Sequence, residues 1–182
     1  KKKIAWIHAD FLATKLATVK NQKTYKNFDQ IVSVSQSCMS NFKAAYPSLA
    51  DKCTYCYNCV PIDEILQKAS ARQNVFIRNE NTLILFSACR LVEEKGLVPA
   101  LENLLPLWEN GMDMKWYIAG DGIERETLEQ NIRNYHLEDK VILLGFLENP
   151  YPYFKEADFL FLPSRHETFS MVVSEAHILG TH

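Results

Sequence analysis

Two charged pairs, one glycine pair and one cysteine run have the spacings best suited to chemistry. Arg90 and Lys95 stand five residues apart in Arg90-Leu-Val-Glu-Glu-Lys95-Gly96. One cation ends an apolar run and the other precedes an amphipathic one, so both can converge on a diphosphate, with helix-opening amides as further donors. Surface ion pairs to Glu93 and Glu94 are the alternative, and spacing alone favours them. Glu167 and Glu175 flank Ser170. If Ser170 caps a helix, the first free amides form an anion site, with Glu175 about 7–8 Å further along the axis and Glu167 in the loop. One carboxylate can then meet the hydroxyls of a sugar and the other those of a ribose, because a carboxylate accepts two hydrogen bonds from vicinal hydroxyls. Gly120-Asp-Gly122 begins like a dinucleotide fingerprint, but Arg125 occupies the place of the third glycine, so a tight turn is the simpler reading. Cys53, Cys56 and Cys59 resemble part of a metal or iron–sulfur run. A closed site needs a fourth ligand, and neither Cys38 nor Cys89 lies at a motif distance.

The elements that must position these residues follow from hydrophobic periodicity. Strands are expected at Ile4–His8, Ile31–Ser35, Cys53–Tyr57, Leu83–Ala88, Met114–Ala119, Lys140–Leu144 and Phe159–Leu162. Helices are expected at Ser37–Tyr46, Glu64–Arg72, Leu97–Asn110, Ile123–Tyr135, Pro152–Ala157 and Met171–Leu179. Strands alternating with helices predict an α/β fold, a Rossmann-like parallel sheet flanked by helices, with ligands at the carboxyl ends of strands. Pro61 and Asp63 mark a hinge, so the expected organisation is residues 1–60, a linker at 61–81, and a second domain at 82–182.

The 182 residues, 47% of them hydrophobic, suffice for one core plus part of a second. No apolar run approaches the roughly 20 residues of a bilayer span, and the apolar stretch after Lys1-Lys2-Lys3 is too short for a secretory signal. A cytoplasmic location is expected. Residues 1–52 hold nine Lys against three Asp, a charge of +6, whereas the whole chain carries -2. A basic face with Phe11, Leu12, Tyr25 and Phe28 could rest on anionic lipid at the inner face of the membrane; a solvated surface is the alternative.

The segments Cys89-Arg-Leu-Val-Glu-Glu-Lys-Gly96, Ala119-Gly-Asp-Gly122, Leu144-Gly-Phe146 and Leu162-Pro-Ser-Arg-His-Glu-Thr-Phe-Ser170 through Glu175-Ala share one register. In order and spacing they resemble the carboxy-terminal domain of family-four (group 1) retaining glycosyltransferases of the GT-B fold. Trp6-Ile7-His8 and Ile31–Gln36 resemble strands of that family's acceptor-side domain. The resemblance implies a hexosyltransferase that moves a sugar, with retention, from a nucleotide-diphosphate sugar such as a UDP-sugar to a glycan or lipid-linked acceptor in polysaccharide or glycoconjugate synthesis. No metal cofactor and no nucleic acid are expected. It implies a diphosphate clamp of Arg90 and Lys95, Glu167 as partner of the donor sugar and Glu175 of the ribose. Phe169 and Ser170 would offer amides to the phosphates, and Phe146 and Leu147 would border the base. His8 would lie near the transferred sugar; a core histidine bonded to backbone is the alternative. Cys89, Thr168 and Ser170 stand where the family often has glycine. The family's glycine-rich amino-terminal loop is absent and a further buried strand would follow Thr181-His182, so the sequence reads as truncated at both ends and inactive by itself. Rival readings are a nucleotide-binding fragment without catalysis and a cysteine-based metal or redox protein.

Overall fold

The computed structural model describes residues 1–14 and 16–182. They form two units, Lys1–Cys59 with His166–Met171, and Val60–Arg165 with Val172–His182.

In the first unit, β1 (Ile4–Ile7), β2 (Gln30–Ser33) and β3 (Cys53–Tyr55) make a parallel sheet in that order. The helices α1 (Val19–Tyr25) and α2 (Gln36–Ala45) start at capping hydroxyls: Thr18 accepts from the Asn21 amide and Ser35 from the Cys38 amide. Each cap satisfies an amide that the helix leaves without a partner. The core is aromatic. Phe11 and Phe42 meet edge to face at 4.8 Å, and Tyr46 donates its hydroxyl to the Thr18 carbonyl at 2.8 Å. This packing draws most of the apolar side chains of the basic segment inward. Phe11 is 2% exposed and Tyr25 and Phe28 pack against the core, so of the four apolar residues Leu12 alone faces outward.

The second unit begins with α3 (Ile62–Ala69) and holds a parallel sheet of β4 (Leu83–Ala88), β5 (Met114–Ala119), β6 (Val141–Gly145) and β7 (Phe159–Leu160), in spatial order β6-β5-β4-β7. Its helices are α4 (Leu97–Glu109), α5 (Arg125–Asn134), α6 (Tyr151–Glu156) and, from Val172 onward, α7 (Met171–Leu179). Side chains alternate between the faces of a strand. Leu85, Trp116 and Ile118 therefore join one core with Leu101 and Leu128 from α4 and α5, while Ile84, Phe86 and Tyr117 join another with Phe154 and Ala176 from α6 and α7. Strand order runs outward from β4 through β5 and β6, then returns to β7 on the other side of β4. The helices that follow β4 and β7, α4 and α7, consequently pack on opposite faces of the sheet.

Residues 61–81, expected as a linker, fold with this second unit. The Glu156 carboxylate accepts the Asn74 and Val75 amides at 2.8 and 3.0 Å, and Phe76 is buried against Tyr117 with ring centres 4.6 Å apart. Asn149 of the second unit also donates to the Lys68 carbonyl at 2.9 Å. The cysteine run does not gather into a cluster. The Cys53 thiol bonds to the Leu49 carbonyl, Cys56 and Cys59 are exposed, and no group of three metal-ligating side chains occurs among the described residues. No helix among them is long and apolar enough to cross a membrane.

Candidate functional site

Three strand-to-helix loops of the second unit enclose a cavity of about 310 Å³ at the carboxyl ends of β4, β5 and β6, a volume within the usual range of small-ligand sites. Cys89 and Arg90 line it from the first loop, Gly120 and Asp121 from the second, and Phe146, Leu147 and Pro150 from the third. The loops are tied to one another by main-chain bonds. The Cys89 amide donates to the Ala119 carbonyl at 3.0 Å, Leu91 to Asp121 at 2.9 Å, and Gly120 to Gly145 at 2.8 Å. The two glycines of Gly120-Asp-Gly122 serve this close approach: a Cβ on Gly122 would stand 2.3 Å from the Leu91 carbonyl oxygen. A turn packed against its neighbour, rather than a dinucleotide fingerprint, accounts for them.

Arg90 is exposed at the cavity, whereas Lys95 is half-buried in a short turn, Glu93–Lys95, outside the lining. Gly96 follows with φ +66°, and a Cβ there would meet the Pro163 carbonyl oxygen at 2.5 Å, which brings the loop after β4 against the end of β7. Glu93 and Glu94 both meet Arg165 from the loop after β7. Glu93 is bound to Arg165 at 2.9 Å, and the Arg165 amide donates to the Glu94 carbonyl. Among the described residues no ion pair engages Arg90.

Glu175, in the second turn of α7, is half-buried and accepts a hydrogen bond from the Tyr151 hydroxyl at 3.2 Å. Burial raises the Glu175 pKa, and the tyrosine bond opposes that rise, because desolvation penalises the charged form and a donor favours it. Tyr151 had no signal in the sequence. It opens α6 one residue after the cavity-lining Pro150, and its partner lies 24 residues away.

Glu167, Phe169 and Ser170 belong to the first unit, so the expected motif from Glu167 to Glu175 is divided between the units. Glu167 is exposed; Phe169 and Ser170 are half-buried. Within the first unit, Thr168 donates its hydroxyl to the His8 carbonyl at 2.9 Å, and Phe169 lies 5.8 Å from Tyr57, ring centre to ring centre. His8 stands exposed just beyond β1, its ring stacked near Trp6, which removes the alternative of a buried core histidine. This unit thus brings His8 and the Glu167 loop together, and the second gathers Arg90, Phe146 and Leu147 around one cavity.

The sequence pattern of the family "Glycosyl transferases group 1" matches residues 68–182. The chain is 29% identical over 155 residues to the N-acetylgalactosamine-N,N'-diacetylbacillosaminyl-diphospho-undecaprenol 4-alpha-N-acetylgalactosaminyltransferase of Campylobacter jejuni, covering 84% of this chain and 40% of that protein. It is 28% identical, with 84% and 42% covered, to the O-antigen biosynthesis glycosyltransferase WclY of Escherichia coli. The fold is similar to that of Anabaena Alr3699/HepE in complex with UDP and glucose, with a TM-score of 0.76, 19% identity, and coverage of 100% of this chain and 51% of that one. The chain spans about two fifths of the length of the curated relatives it matches. With parallel sheets flanked by helices as in GT-B glycosyltransferases, the chain belongs to the group 1 glycosyl transferases.

Proposed function

We propose that this chain forms the donor-binding part of a retaining glycosyltransferase, a longer enzyme that moves a hexose from a nucleotide-diphosphate sugar to a glycan or lipid-linked acceptor in surface polysaccharide or glycoconjugate synthesis. The carrying observation is the cavity at the ends of β4, β5 and β6 with Arg90 at its wall. The UDP complex of the similar Anabaena protein and the lipid-linked acceptor in the Campylobacter relative's name support the donor and acceptor classes. Arg90 would meet the diphosphate, with Lys95 joining from the same loop. Phe146 and Leu147 would border the base, and Glu175 would accept from the ribose hydroxyls. Glu167 would face the transferred sugar, with His8 beside it and the amides of Phe169 and Ser170 toward the phosphates. Charge developing on the leaving diphosphate would be stabilised by fixed cations and amides, which need no reorganisation during the reaction. On this reading no metal ion is required. Any contact of the basic amino-terminal segment with anionic lipid would rest on its lysines, because Phe11 is buried.

Saturation-transfer NMR of the chain with UDP-, GDP- and ADP-sugars tests donor binding. Transfer to base and ribose protons of one nucleotide is expected, weakened by Arg90→Ala. No transfer to any of them would overturn the reading. Turnover after adding the segments the relatives carry separates an enzyme from a binding module.

A further inference from the structure

Tyr151 and Glu175 form a pair for which the cavity, the loops and the phosphate chemistry have no need. The Tyr151 ring is fixed: it packs on the second unit's aromatic core, with its centre 6.5 Å from that of the fully buried Phe154. Asn149 holds its amide at 3.3 Å, and the preceding Pro150 lines the cavity. The hydroxyl therefore has a fixed position, and from it donates to Oε1 of Glu175. We propose that Tyr151 is a positioning residue, which orients the Glu175 carboxylate so that its remaining acceptor sites receive a vicinal diol of the donor nucleotide. The proposal rests on the donor-site reading above.

A half-buried carboxylate is a good diol acceptor while it is ionised and held in one rotamer. Tyr151 serves both needs, because a donor to one oxygen favours the anion and leaves the other oxygen open. Its bond counters the burial that pushes the Glu175 carboxyl toward its neutral form. The other charge facing Tyr151 is Glu64 on α3, itself paired with Lys68 at 2.6 Å. Loss of the hydroxyl should therefore raise the pH at which Glu175 gains its proton and ceases to accept from a diol.

The test compares the chain with its Tyr151→Phe and Glu175→Gln variants, by calorimetry with the best-bound of UDP, GDP, ADP and CDP and with its 2′,3′-dideoxy counterpart, across about pH 5 to 8. The dideoxy compound carries the same diphosphate, so the ratio of the two affinities isolates the diol. Tyr151→Phe is expected to lower that ratio roughly threefold to tenfold near pH 7, the usual weight of one hydrogen bond, and to move its fall on acidification to higher pH. Dideoxy binding should be unchanged, which a merely structural role for Tyr151 would not produce. If Glu175→Gln lowers the ratio but Tyr151→Phe does not, the positioning role is wrong and the donor-site reading stands. If Glu175→Gln leaves the ratio unchanged, or none of the four nucleotides binds, the reading of the site fails and the inference with it.

Discussion

Gly120 packs so closely on Cys89 that a Cβ at Gly120 would stand 1.8 Å from the Cys89 carbonyl oxygen, at a φ of +138°. The obstacle is backbone, which cannot rotate aside. Gly120→Ala should therefore cost about 2–5 kcal/mol from strain and overpacking together, and should close the cavity wall it lines. Gly111 is the control, since its Cβ would meet nothing within 4 Å although φ is +82°. Gly111→Ala should cost only the left-handed backbone penalty, about 1–2 kcal/mol. Denaturant titration of both variants decides, and equal losses would mean that loop packing at Gly120 contributes little.

Arg90 is exposed and without an ion pair among the described residues, so its removal should leave the fold intact. Arg90→Ala should nonetheless lower kcat/KM of the assembled enzyme about a hundredfold, near 3 kcal/mol, as expected for a charge aimed at a leaving group. Lys95→Ala should do the same. Near-normal turnover in both variants, with unchanged melting, would remove the diphosphate clamp.

Glu175 and Glu167 should separate by ligand. Glu175→Gln should weaken binding of the nucleoside diphosphate itself, because the ribose is present with or without a sugar. Glu167→Gln should spare that affinity, yet lower turnover and blur the choice between epimeric donors, since a site built to bond a hydroxyl rejects analogues lacking it. Calorimetry followed by kinetics with two epimers checks the division, and equal losses of diphosphate affinity would refute it.

The pH dependence of stability should carry opposite signs in the two units. Burial raises the Glu175 pKa, so the native state binds a proton more readily than the unfolded chain. Its contribution falls as pH rises from the ordinary glutamate value through the raised one. Glu175→Gln should thus raise the melting temperature at neutral pH while abolishing ribose recognition, with the gain vanishing in acid. Asp10 behaves in the reverse sense. The Ala13 and Leu12 amides and the Asn41 side chain all donate to it, which lowers its pKa. Its stabilisation is present above the unfolded value and lost as pH falls through the lowered one. Melting curves of Glu175→Gln and Asp10→Asn against pH read both signs.

The central strands were the most legible elements. Leu83–Ala88 and Met114–Ala119 occur with the expected bounds, because strands buried on both faces read as continuous apolar runs. None of the residues of α1 is buried, so the helix carries no apolar period that its sequence could reveal. How residues 61–81 are held could not be read from the sequence, for a tertiary reason. The contacts that bind them, Glu156 to the Asn74 and Val75 amides and Phe76 to Tyr117, join residues far apart in sequence. In the candidate site Arg90 was readable from its place after an apolar run. Tyr151 was not, because a tyrosine opening a short helix gives no sign of the carboxylate it will meet.

The return of β7 to the far side of β4 has a kinetic consequence. Trp116 and Ser87 bond across 29 residues of sequence, whereas Ser87 reaches Phe161 across 74. Longer closures cost more chain entropy and are made later. During folding, the nest of β4, β5 and β6 loops that holds Arg90 would therefore take shape first. Glu175 on α7, which follows β7, would be placed afterwards, so an emerging chain would set the loop that bears Arg90 before the helix that bears Glu175.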